Sequence, residues 1–231
     1  MSFRSPLALL AAVCAFSATP SFSQTLISRN PTPASYSWAR PSAPVITPAN
    51  PDVFGTAAVS AGVTIYDARF RRVASADRDD PLIASLAARL RGLSPEAQLD
   101  AVQSLVLSRV RWMHDLDNMK VSDFWSNAAE TLQRGTGDSE DIAIVQMQIL
   151  KAAGFDPKNL YISIGRRKNV GAHVVLLAKT LSGFYMLDDK LGHPFAAKDS
   201  NLFTPVLTIG QGRSFIHGRR VAAVAPRIKA N

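Results

Sequence analysis

The chain has 231 residues, enough for one ordinary domain with a sizeable core and extensions at either end. Its 26 Lys and Arg against 18 Asp and Glu give a net charge of +8, and its single cysteine is Cys14. The basic balance favours acidic partners. The positive residues are scattered and no nucleic-acid motif is present, so a nucleic-acid role is excluded as the reading.

Leu7 opens an apolar run that ends at Phe16, preceded by Arg4 and followed by small residues up to Ser23. This is the layout of a secretory signal over 1–23, and the run is short for a membrane span. Cys14 would leave with that segment. The mature chain would then have no disulfide, no thiolate metal site and no thiol nucleophile. Residues 24–52 are rich in Pro, Ser, Thr and Ala and read as an extended or disordered arm.

The domain is expected over 53–216. Residues 54–73 mix Val59, Val63 and Ile65 with glycines and predict one or two short strands. Asp80 before Pro81 predicts an N-cap and first helical residue, with Leu82, Leu86 and Leu90 on one face until Gly92. Ser94-Pro95-Glu96 opens a second helix through Leu99, Val102 and Leu105 or Val106, to about Trp112. A polar turn is expected over 114–120, and a short helix over 123–132 carrying Phe124 and Trp125. The turn Gly135-Thr136-Gly137 leads into a helix from about Ser139 to Ala153, ended by Gly154. That helix is apolar almost all round, which predicts burial.

Beyond Gly154 the pattern changes to strands over 160–165, 172–179 and 183–188, with edge strands over 204–209 and 214–216. Helices first and strands afterwards predict an α+β domain, with the buried helix packed on an antiparallel sheet. Residues 217–231 read as a solvated basic tail.

One constellation carries chemistry. A helix that begins at Ser139 sets this side chain at the positive end of the helix dipole, where backbone N–H groups can hold an oxyanion. A nucleophile there needs a base, and the base needs an orienting group. His173 lies in the apolar strand Ala172-His173-Val174-Val175, and Asp188 ends the next strand. A hairpin would bring the two together. Asp138, Glu140 and Asp141 surround Ser139. They read either as N-capping with dipole complementarity or as oxygen ligands for a hard cation. His114, His193 and His217 lack partners at metal spacing and read as surface histidines. Trp112 and Trp125 read as core.

Several stretches agree in order, spacing and context with a known pattern. They are Asp123-Phe124-Trp125 with Glu130, Gly137-Asp138-Ser139-Glu140-Asp141, His173-Val174-Val175-Leu176, and Leu187-Asp188-Asp189. From Leu99 to about Val206 the chain resembles the bacterial transglutaminase-like cysteine proteinases, periplasmic members of which clip surface adhesins. The resemblance implies a papain-like fold with a Cys-His-Asp triad, in which Ser139 takes the nucleophile position, His173 the base and Asp188 the orienter. Asp189 stands where the family usually has an amide. It also implies calcium at the acidic residues Asp138, Glu140 and Asp141. The expected protein is periplasmic and catalytically impaired. It would bind a protein partner such as an adhesin linker or an inner-membrane receptor, with at most peripheral membrane contact. The alternative is an active hydrolase using Ser139, His173 and Asp188.

Overall fold

The computed structural model describes residues 50–75, 79–198 and 201–219. The signal segment, most of the arm and residues 220–231 of the tail lie outside the described residues. The first half forms β1 (Thr56–Gly62), α1 (Ile65–Ser75), α2 (Pro81–Ala88), α3 (Pro95–Leu107), β2 (Arg111–Trp112), α4 (Asp115–Met119) and α5 (Ala128–Arg134). Then come β3 (Thr136–Gly137), α6 (Ser139–Ala152), β4 (Leu160–Arg167), β5 (Gly171–Thr180), β6 (Gly183–Leu187), β7 (Phe195–Ala196), β8 (Phe203–Gly210) and β9 (Arg213–Arg219).

Local chemistry sets the helix ends. The Asp80 side chain accepts from Ile83 N at 2.9 Å, with Pro81 at the first helical position, where its missing N–H costs nothing. Ser94 and Pro95 repeat the device on α3. Asn127 and Glu130 form a reciprocal capping box on α5, each bond 2.9 Å long, and Gly135 closes that helix at φ 69°. Gly154, just past the C-terminus of α6, has φ 98°, a conformation that glycine adopts without strain.

Seven strands form one antiparallel sheet in the order β1-β9-β8-β4-β5-β6-β7, and β2 pairs with β3 in a separate parallel ribbon. Both faces of the sheet are covered. Ile162, Val174, Leu176, Ala178, Leu207 and Ile209 belong to the core that contains α6. Tyr161, Val175, Leu177, Met186, Phe203 and Phe215 belong to a second core with Val53 and Phe54. This is why β5 reads as an unbroken apolar run rather than as an alternation. Every residue of α6 from 141 to 150 is buried, because α2, α3 and α5 enclose the helix on the sides that β5 and β4 leave open.

Several expectations are corrected. The second half of 54–73 is the helix α1, not a strand. α3 ends at Leu107, and Arg111–Trp112 is extended because it pairs with Thr136–Gly137. The turn over 114–120 holds the short helix α4. The helix expected over 123–132 begins only at Ala128, since Asn127 caps it and leaves Phe124 and Trp125 outside. β8 and β9 are interior strands; the edges are β1 and β7. β9 runs to Arg219, into the segment read as a tail. The last residues of the arm dock onto β1: Asn50 Nδ2 donates to Ala58 O and Ala58 N to Asp52 Oδ1, both at 2.8 Å.

Ile144 is fully buried at the centre of α6. Ile144→Ala is expected to lower the unfolding free energy by about 2–5 kcal/mol. Guanidinium unfolding measures this, and an unchanged midpoint would contradict the buried placement of α6.

Candidate active site

The N-terminus of α6 is built for close approach. A Cβ on Gly137 would lie 2.7 Å from Asp141 Cβ and 3.0 Å from Thr131 Cγ2, so only glycine lets β3 lead into the helix here. Gly137 O accepts from Met113 N at 2.9 Å, which ties the turn to the β2 side. Asp138 is the N-cap and accepts from Asp141 N. Ser139 is the first helical residue. Its Oγ donates to Glu140 Oε2 at 3.2 Å and accepts from Val174 N at 3.3 Å. The Ser139 hydroxyl therefore meets the backbone of β5 beside His173, and its proton is directed to Glu140.

His173 and Asp188 come together as expected. His173 Nε2 is 2.9 Å from Asp188 Oδ1 and 3.0 Å from Asp189 Oδ1. With the Asp188 carboxylate as acceptor and the Asp189 carboxylate close by, Nε2 is the donor, which leaves Nδ1 for any other partner. Asp188 is held from every side: Arg167 Nε meets Oδ2 at 2.5 Å, and Lys190 N donates to Oδ1 at 2.9 Å. Burial opposes the charged forms of both residues, but these hydrogen bonds outweigh it. Asp188 is held down at about 2, through His173, Arg167 and the Lys190 amide. His173 is raised to about 9 by Asp188 and Asp189.

A buried glutamine supports the carboxylate loop. Gln103 of α3 donates from Nε2 to Asp188 O at 2.8 Å and to Leu191 O at 2.6 Å, and its Oε1 accepts from Gln146 of α6 at 2.8 Å. Neither this residue nor Arg167 stands out in the sequence. The available signal for Gln103 is a polar residue at a core phase of an amphipathic helix, beside Leu99, Val102 and Val106.

The acidic residues divide into two groups. Carboxylate oxygens of Asp115, Asp138 and Glu140 lie within 4.8 Å of one another. Asp141 turns away from them: Oδ1 accepts from Ser126 N at 2.8 Å and Oδ2 pairs with Arg134 at 3.1 Å. The expected trio thus keeps Asp138 and Glu140 together, and Asp115 of α4 joins them. Nothing in local spacing points to Asp115, which lies 23 residues before Asp138 in the chain. Asp138 is pushed up to about 9, first by burial and then by repulsion from Glu140 and Asp141; Asp141 rises to about 7, first by burial. Burial also raises Glu140 and Asp115. Asp115 Oδ2 accepts from Phe124 N at 2.5 Å, while its buried Oδ1 has no hydrogen-bond partner among the described residues. An all-oxygen donor set of repelling carboxylates with an orphaned buried oxygen suits a hard cation such as calcium.

The remaining candidates resolve simply. His114 and His193 are exposed. His217 is not a surface residue; it bridges Thr56 Oγ1 and Thr208 Oγ1 at 2.8 Å each, and burial holds it down at about 4. Trp125 is buried, but Trp112 is 38% exposed, with Lys190 Nζ 4.2 Å from its ring centre.

The model of the bacterial transglutaminase-like cysteine proteinases matches residues 87–200. Solved structures of LapG from Legionella pneumophila are similar to the chain. The calcium-bound form has TM-score 0.53 and 22% identity, over 62% of this chain and 81% of that one. The EGTA-treated form has TM-score 0.52 and 21% identity, over 68% and 87%. No curated protein sequence matches. The structural likeness establishes a transglutaminase-like fold. With the family model spanning α6, His173 and Asp188, the chain belongs to the bacterial transglutaminase-like cysteine proteinase family.

Proposed function

We propose that this chain is a secreted, periplasmic member of its family that is impaired in hydrolysis and acts by binding a protein partner. The observation that carries this reading is at Ser139, whose hydroxyl is engaged by Glu140 and by Val174 N, not by His173. A thiol ionises readily at such a helix terminus, whereas a serine hydroxyl must hand its proton to a base during attack. Here the base is hydrogen-bonded to Asp188, with the Asp189 carboxylate 3.0 Å from the same nitrogen, and the hydroxyl points elsewhere. In this reading Ser139 fills the nucleophile position, His173 the base position and Asp188 the orienter position. Secretion rests on the signal-like segment 1–23, and among the described residues no helix is long and apolar enough to cross a membrane. The partner is a periplasm-facing protein: an adhesin linker of the kind the family cleaves, or an inner-membrane receptor.

Calcium belongs to the same reading. A calcium-bound LapG is among the similar structures, and Asp115, Asp138 and Glu140 would supply the oxygens in this chain. The cation would neutralise the acidic cluster beside Ser139 and fix the first turn of α6. The second reading, an active hydrolase using Ser139, His173 and Asp188, is favoured by the intact His173–Asp188 hydrogen bond.

Cleavage of an adhesin-linker substrate by the mature chain and by Ser139→Cys separates the two. The cysteine variant is expected to cleave faster by about three orders of magnitude or more. Comparable cleavage by the wild type, abolished in His173→Ala, would establish the serine enzyme instead.

Calcium at about a hundred times its dissociation constant is expected to raise Tm by about 5–10 °C. EGTA should reverse the rise, and Asp138→Asn or Asp115→Asn should weaken it. Absence of any shift at millimolar calcium would remove the cation from this reading.

A further inference from the structure

His173 has one N–H at Nε2, and two carboxylates converge on it. Asp188 Oδ1 at 2.9 Å is sufficient to fix the ring, because Arg167, the Lys190 amide and Gln103 already hold Asp188 in place. Asp189 Oδ1 at 3.0 Å therefore adds little orientation. What it adds is a second negative charge at the same nitrogen. The two carboxylates are 0% and 1% exposed, while the cations on their outer oxygens, Arg167 and Lys190, are 13% and 32% exposed. Solvent screens the cations more than the carboxylates, so the field at the ring is set by the acids.

The charged and titratable groups around the ring come from three elements. β4 supplies Arg167. The segment after β6 supplies Asp188, Asp189 and Lys190. The N-terminus of α6 supplies Ser139, with Asp138 and Glu140 beside it.

We propose that Asp189 is a positioning residue that acts through charge: together with Asp188 it holds His173 as an imidazolium, so that Nδ1 also carries a proton. An imidazolium cannot accept the Ser139 proton, but it is the partner that a thiolate at this helix terminus requires. The ring is a fixed cation at neutral pH, held so by Asp189 together with Asp188. This deepens the placement of His173 as the base of the site. It is tested without turnover, so its failure is distinct from the failure of the binding role.

The test is an NMR titration of the His173 ring protons in the full chain, assigned by their loss in His173→Gln. In the wild type the midpoint is expected well above the ordinary imidazole value of about 6.5. Asp189→Asn should lower it by about one pH unit or more, and Asp189→Glu, which keeps the charge, should hold it near the wild-type value. A wild-type midpoint near 6.5, an unchanged midpoint in Asp189→Asn, or an equal fall in Asp189→Glu would overturn the proposal. If Asp189→Asn does not fold, Lys190→Met carries the test at an exposed position. Removing the ammonium strengthens the field of Asp189 and should raise the midpoint, and a midpoint that stays or falls would overturn the proposal.

Discussion

The structure depends on the junction between the first turn of α6 and the start of β5. The helix is buried along most of its length, so it cannot slide or tilt without opening the core on both sides. That immobility fixes where its N-terminus ends, and the backbone N–H of Val174 reaches Ser139 Oγ across the gap. A glycine at 137 is required at the same point, since any Cβ would collide with Asp141 and Thr131. Gln103 and Gln146 continue the same constraint to the carboxylate loop, coupling α3 and α6 to Asp188 and Leu191. Buried polar groups are costly unless paired, and these hydrogen bonds hold the carboxylate loop to the helices in one register.

Two groups of carboxylates flank this junction, and their charge is balanced in different ways. On the β5 side the protein supplies its own cations, Arg167 for Asp188 and Lys190 for Asp189, with His173 between the acids. On the α6 side, among the described residues, only Asp141 has a protein cation, Arg134. Asp115, Asp138 and Glu140 face one another, and burial with mutual repulsion raises the pKa of Asp138 to about 9. Such a group takes up either protons or a cation. A serine between these two regions inherits an environment suited to charge separation. A hydroxyl does not ionise in it as a thiol does.

The sequence alone determined whatever rests on local chemistry or on a long periodic pattern. Asp80-Pro81 and Ser94-Pro95 start helices because capping needs only neighbouring residues. α6 was legible because it is apolar all round and ends at a glycine, and the β5–β6 hairpin because its runs are continuous and its turn contains Gly183. The pairing of His173 with Asp188 follows from that hairpin. Tertiary structure decided what has no local pattern. β2 and β3 are two residues each and exist only because they pair with one another. β8 and β9 became interior strands because β1 pairs beyond them. Asp115 joined Asp138 and Glu140, and Arg167 joined Asp188, because packing distant segments together creates contacts that no sequence spacing encodes. Asp141 left the acidic group for the same reason: Arg134 and Ser126 N, brought close by α5 and the loop before it, offer its buried charge a better partner than two further carboxylates.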